Sequence, residues 1–193
     1  MATKKRPFVT DFYYFTDMSW IKKYQNQWMV FDAAAEDLST GKTPRAQYAK
    51  NLVDLLAKAE KMRSPMFLFV EPTAAGIFVP VTLVNGEYAI TVLATPDSGA
   101  QVACFNGELA APLGIDISKL KKAKSFEGPG KFMVDSYPVK LEVFVGKAKE
   151  GRRVTVDFLR AKDAATLLGW GAFFGTHEVH FSPEYGIKYR LLN

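Results

Sequence analysis

The stretch Ile77-Phe78-Val79-Pro80-Val81-Thr82-Leu83-Val84-Asn85-Gly86-Glu87-Tyr88-Ala89-Ile90-Thr91-Val92-Leu93 consists of two apolar runs, rich in β-branched residues, separated by Asn-Gly. Asn and Gly both tolerate positive φ, so the pair predicts a type I′ turn and antiparallel pairing of residues 77–84 with residues 87–93. Pro80 has no N–H to give to a ladder, which predicts a sheet edge or a bulge at that position.

The same short apolar runs recur on both sides of this hairpin. Downstream, residues 101–105, 131–134, 139–145, 153–159, 176–181 and 187–191 read as strands. In 139–145, Val139, Leu141, Val143 and Val145 share one face while Lys140, Glu142 and Phe144 share the other. In 153–159, Val154, Val156 and Phe158 oppose Arg153, Thr155 and Asp157. Upstream, residues 66–70 form another run, and residues 8–15 and 27–33 hold aromatics at strand-like density. One long helix is predicted over residues 44–62: Thr43 is placed to cap it, Pro44 suits its first turn, Leu52, Leu55, Leu56 and Ala59 form its stripe, and Ser64-Pro65 ends it. Shorter helices are predicted at 115–126, before the Gly128-Pro129-Gly130 breaker, and at 162–168. The expectation is an α+β fold, a mainly antiparallel β-sheet of meanders and hairpins with one long helix and one or two short ones. It forms a single domain over residues 1–193, with a short flexible basic arm at 1–6.

Charge is unevenly spread. Twelve of the 25 Lys and Arg residues, but only five of the 20 acids, fall between positions 119 and 162, so the formal net charge of +5 is local to that stretch. The solitary Cys104 excludes an intrachain disulfide and lies in an apolar run, which reads as a buried thiol in the cytoplasm or another reducing compartment. The N-terminal basic residues are followed by no apolar run, so neither a signal peptide nor a membrane span is expected, and no membrane is assigned as a partner.

Signatures of catalysis fail one by one. Residues 37–43 end like a phosphate-binding loop, but Glu36 stands where that loop requires glycine, and its carboxylate would repel phosphate. His177 and His180 are three apart, so on a strand their rings point to opposite faces and share no metal. There is no G-x-S-x-G, Cys104 has no basic neighbour in sequence, and Gly169-Trp170-Gly171 with Gly175 misses the dinucleotide spacing. No catalytic residue, metal or cofactor is assigned.

The basic stretch carries the functional expectation. Lys119, Lys121, Lys122, Lys124 and Lys131 surround the Gly-Pro-Gly loop; Lys147, Lys149, Arg152 and Arg153 cluster at a hairpin; Lys140 and Phe144 lie on its charged face. Cations along a groove with an aromatic platform suit single-stranded RNA or DNA, with Phe144 stacking on a base and Tyr137 as a second platform. Two rivals stand beside this reading: an assembly protein that forms a homo-oligomer through aromatics and a strand edge, and an enzyme whose site is dispersed through the fold, the balance lying against an enzyme.

Overall fold

The computed structural model describes residues 8, 12–14, 19–35, 44–70, 76–123, 125–127, 133–161, 164, 166–182 and 186–192. In chain order the strands are β1 Tyr13–Tyr14, β2 Gln27–Asp32, β3 Gln47–Ala49, β4 Pro65–Val70, β5 Ile77–Asn85, β6 Tyr88–Pro96, β7 Ala103–Asn106, β8 Ser125–Glu127, β9 Met133–Val145, β10 Arg152–Leu159, β11 Leu167–Leu168, β12 His177–Ser182 and β13 Gly186–Leu191. The α-helices are α1 Ser19–Tyr24 and α2 Val53–Ala59.

Six of these strands close a ring. β5 pairs antiparallel with β6 and with β9, β9 antiparallel with β10, β10 parallel with β7, β7 antiparallel with β11, and β11 parallel with β6. Strand alternation sends one residue set inward: Val79, Val81 and Leu83 from β5, Ile90, Val92 and Ala94 from β6, Ala103 and Phe105 from β7, Leu141, Val143 and Val145 from β9, Val156 and Phe158 from β10, and Leu168 from β11. They form one buried cluster, with the Phe105 and Phe158 ring centroids 6.5 Å apart. Each fully buried ring contributes about 1.5–3 kcal/mol of hydrophobic stabilisation. Outside the ring, β4, β2 and β3 extend the sheet from β6. There Met29, Phe31, Leu68, Val70, Phe78 and Leu93 make a second cluster with Trp20 of α1. β12 and β13 form a separate two-stranded sheet.

The predicted hairpin exists, with Asn85 opposite Tyr88, but its turn differs. Asn85 is the last strand residue, and Gly86, at φ +61°, is the turn residue with positive φ. Glycine at the first central position with positive φ there alone is the type II′ pattern, which gives the same strand twist as I′. Asn85 instead donates its amide N–H to the Leu113 carbonyl at 2.9 Å. Pro80 stands in a ring strand rather than at an edge. The β5–β9 ladder begins at Val81, and the last contact is Gly146 N–H to the Pro80 carbonyl at 2.7 Å, so β9 ends where proline's missing donor would be needed.

The expected mainly antiparallel sheet with one long helix is overturned. The sheet is mixed, with parallel pairs β10–β7, β11–β6 and β4–β6, and every helix among the described residues is short. Residues 44–62 divide because only their second half carries the apolar stripe. Gln47–Ala49 pairs with β2, with Tyr48 stacked on Tyr24 at 3.7 Å between centroids, while Leu52, Leu55 and Ala59 pack α2 onto the core. The predicted helix at 115–126 is a single 3-10 turn, Ile117–Lys119, followed by β8. The predicted helix at 162–168 contains the two-residue strand β11; residues 162, 163 and 165 lie outside the described residues. The basic arm, Thr43, the 37–43 loop and the Gly128-Pro129-Gly130 tip also lie outside them.

Candidate functional site

The predicted basic residues separate into three groups. Lys119 pairs with Asp116 at 3.1 Å and Lys122 with Asp135 at 2.6 Å, both at the surface, so each of those lysines has an acid of its own chain beside it; Lys121 is exposed, and Lys124 and Lys131 lie outside the described residues. Arg152 donates to the Leu192 carbonyl at 2.7 Å, while Lys147 and Lys149 are exposed in the β9–β10 connection. Lys140, Phe144 and Arg153 share the outer face of the barrel. There Phe144 stands in register with Thr82, Lys140 opposite Thr155, and Arg153 opposite Glu142. Tyr137 is only 7% exposed and faces the interior side of β9, so it offers no platform.

The histidines diverge. His177 is buried, with Nδ1 2.9 Å from Thr176 Oγ1 and 3.2 Å from the Phe173 carbonyl, whereas His180 is exposed and lies 3.0 Å from Glu178 Oε1. That contact, together with the bonds from Arg190, holds the Glu178 carboxyl below its usual range. Among the described residues no three His, Cys, Asp or Glu side chains are grouped to hold a metal ion. Burial pushes the Cys104 thiol up to about 12, with the Asp157 and Asp97 carboxylates adding to it, so the thiol is a packing group.

A further arrangement was passed over in sequence: Asp97-Ser98-Gly99-Ala100, where the chain leaves β6. Asp97 is half-buried, and its Oδ1 accepts the Gly99 N–H at 2.8 Å; Oδ2 makes no hydrogen bond among the described residues. The segment 166–171, far along the chain, straps this loop from behind. Thr95 N–H reaches the Thr166 carbonyl at 2.9 Å and Asp97 N–H the Leu168 carbonyl at 3.0 Å. In return Trp170 N–H reaches the Ala100 carbonyl at 2.9 Å, Gly171 N–H the Gln101 carbonyl at 3.1 Å, and the Trp170 indole N–H the Ser98 carbonyl at 2.8 Å. The two segments touch backbone to backbone at Gly169, where an added Cβ would stand 2.2 Å from the Val102 carbonyl oxygen. The result is one carboxylate with a fixed oxygen and a free one, presented on a braced loop. Trp170, 47% exposed, lies beside it and continues through Phe174 (centroids 5.9 Å apart) to Phe181, 57% exposed (6.3 Å from Phe174). The sequence signal was an Asp followed by Ser-Gly at a strand exit, too short to separate from an ordinary turn until Leu167-Leu168-Gly169 is seen packed against it.

A surface cavity of about 770 Å³ lies away from this loop, lined by Asn51, Glu108, Asp116, Ser118 and Arg160 among others; there Glu108 accepts the Leu52 N–H at 2.7 Å, so its carboxylate serves to anchor α2.

No helix of the described residues is long and apolar enough to cross a membrane. No family model matches the chain, and no curated protein matches it. Among solved structures the chain is similar to a retropepsin-like aspartic protease from Rickettsia conorii, with 16% identity over 58% of this chain and 80% of that one and a TM-score of 0.43.

Proposed function

We propose that the chain is half of a carboxylate-based hydrolase, completed when a second copy brings its own Asp97 beside the first. The observation that supports this reading is the Asp97 loop: a half-buried carboxylate oriented by the Gly99 N–H through one oxygen, with the other oxygen free, on a backbone braced at five points by residues 166–171. A single carboxylate supplies a base or an acid, not both. Two carboxylates a few ångströms apart share one proton, because their charges repel, and so hold base and acid together. The reaction that suits such a pair is hydrolysis of a peptide bond. The ionised member takes a proton from water as the water oxygen bonds to the carbonyl carbon, and the protonated member gives its proton to the carbonyl oxygen. Collapse of the tetrahedral adduct breaks the C–N bond, with the proton passing to the departing amine. The exposed Trp170 and Phe181 beside the loop, and the small β12–β13 sheet, are surfaces that a two-fold mate would cover.

The test is cleavage of an unfolded protein substrate between pH 3 and 7, read by mass spectrometry, with Asp97→Asn alongside. The variant is expected to lose at least about 100-fold in rate. Mixing equal amounts of wild type and variant should leave about one quarter of the wild-type rate if two copies form the site, since random pairing gives that share of intact dimers. Retained cleavage by Asp97→Asn, or no cleavage at any pH by a folded dimer, would sink the reading.

A further inference from the structure

We infer that the open outer face of β5, β9 and β10 is a docking site for single-stranded nucleic acid, independent of Asp97. On this face the register sets Thr91, Thr82 and Phe144 in one row across β6, β5 and β9, with Gly151 completing it beside Phe144. Thr82 and Thr91 join their hydroxyls at 2.8 Å, and an added Cβ on Gly151 would meet the Phe144 ring at 2.8 Å. Phe144 therefore has small neighbours on both sides, which leaves it half-buried and partly open on a flat surface. Arg153 stands on the next row, opposite the exposed Glu142, and Lys140 on the row after it, opposite Thr155; the two exposed cations outnumber that one acid. Residues of one strand face repeat every ~7 Å, a spacing that an extended polynucleotide follows readily. Lys147 and Lys149 add positive charge at the end of the row, where the chain turns from β9 to β10.

The chemistry favours a single strand over other polyanions. A lipid surface would need an apolar wedge, and the residues around Phe144 on this face are Thr82, Gly151 and Glu142, with Arg153 and Lys140 on the rows beyond. Duplex reading uses an element shaped for a groove, and this face is a strand surface. A ring with a hydroxyl beside it and cations on the next two rows suits bases that stack on it while phosphates meet the ammonium and guanidinium groups. Since Lys119 and Lys122 are paired with acids of their own chain, the footprint centres on Lys140, Phe144 and Arg153.

The test is fluorescence anisotropy of labelled dT20 and rU20 against the full chain, from 50 to 300 mM salt, with duplex DNA and phosphatidylserine vesicles as comparison ligands. Saturable binding of the single strands, with log affinity falling linearly against log salt, is expected. Lys140→Gln/Arg153→Gln should shallow that slope by about 1.4, at ~0.7 for each lost phosphate contact. Phe144→Leu should weaken binding by about 5- to 150-fold without altering the slope. Asp97→Asn should bind as wild type, which separates this site from the hydrolase reading. Lys140 and Arg153 are exposed, so the double variant will fold, and far-UV circular dichroism checks Phe144→Leu. No saturable binding at 50 mM salt, preference for vesicles or duplex, or an unchanged slope in the double variant would overturn the inference.

Discussion

Replacing Gly169 by alanine tests the brace behind Asp97 directly. The glycine backbone is extended, at φ −89° and ψ −168°, so alanine suffers no conformational strain there and the whole cost is steric. The new Cβ would stand 2.2 Å from the Val102 carbonyl oxygen, 2.6 Å from the Ala100 carbonyl oxygen and 2.7 Å from the Val102 carbonyl carbon, all backbone atoms that no rotamer change can move. Relief requires the two segments to part by about 1 Å, which breaks the Trp170 N–H to Ala100 and Gly171 N–H to Gln101 bonds. Two such bonds at about 1 kcal/mol each, with about 2 kcal/mol for overpacking, give a loss of about 4 kcal/mol. In a domain of this size that lowers Tm by about 8–16 °C. Gly171→Ala is the control, because its Cβ would meet nothing closer than 3.7 Å. Thermal unfolding followed by circular dichroism should show Gly169→Ala melting well below wild type and Gly171→Ala within about 2 °C of it. A Gly169→Ala protein melting beside its control would refute the close approach and with it the bracing of the loop.

Three further outcomes are expected. Phe158→Ala empties the centre of the barrel and should cost about 3–5 kcal/mol, measured by urea unfolding; a loss below about 1 kcal/mol would contradict the closed ring. Asp157 is 6% exposed, with Ser136 Oγ at 3.4 Å as its one hydrogen-bond contact, and burial raises its carboxyl above the ordinary range. A raised folded value means stability that is full below the unfolded value and lost as pH rises through the folded one. Asp157→Asn should therefore raise Tm at pH 7–8, with the gain fading toward pH 4; a gain that grows on acidification would refute this. Cys104 should resist a thiol reagent at pH 8 in the folded protein and react within minutes in 6 M guanidinium, and rapid labelling of the native chain would place the thiol at the surface.

Period-two alternation made β9 and β10 legible, because Val139 to Val145 and Val154 to Phe158 write their inner face directly into the sequence. The Asn-Gly pair located the hairpin, although the turn took the glycine alone. What the sequence hid was non-local. Leu167-Leu168 reads as the end of a helix, and only its insertion between β6 and β7 makes it a strand. The stripe Leu52, Leu55, Leu56 and Ala59 is real, but the predicted helix runs back over residues whose edge pairing with β2 no local propensity reports. Charge counting located Lys140 but could not tell it from Lys122, whose acid, Asp135, is a neighbour only in space. Asp97 was missed because a lone acid in a turn gains meaning only from what lies behind it.

That insertion also sets an order of events. β6 and β7 flank the Asp97 loop in sequence yet do not pair with each other; the place between them belongs to Leu167-Leu168, about seventy residues later. A chain emerging from the ribosome can close the β5–β6 hairpin at once, a local event on the microsecond scale, but it holds a gap beside β6 until residues 167–168 have been made. The loop-closure entropy of that late arrival falls on the very residues that orient Asp97, so the carboxylate gains its brace only once residues 166–171 have been made and docked.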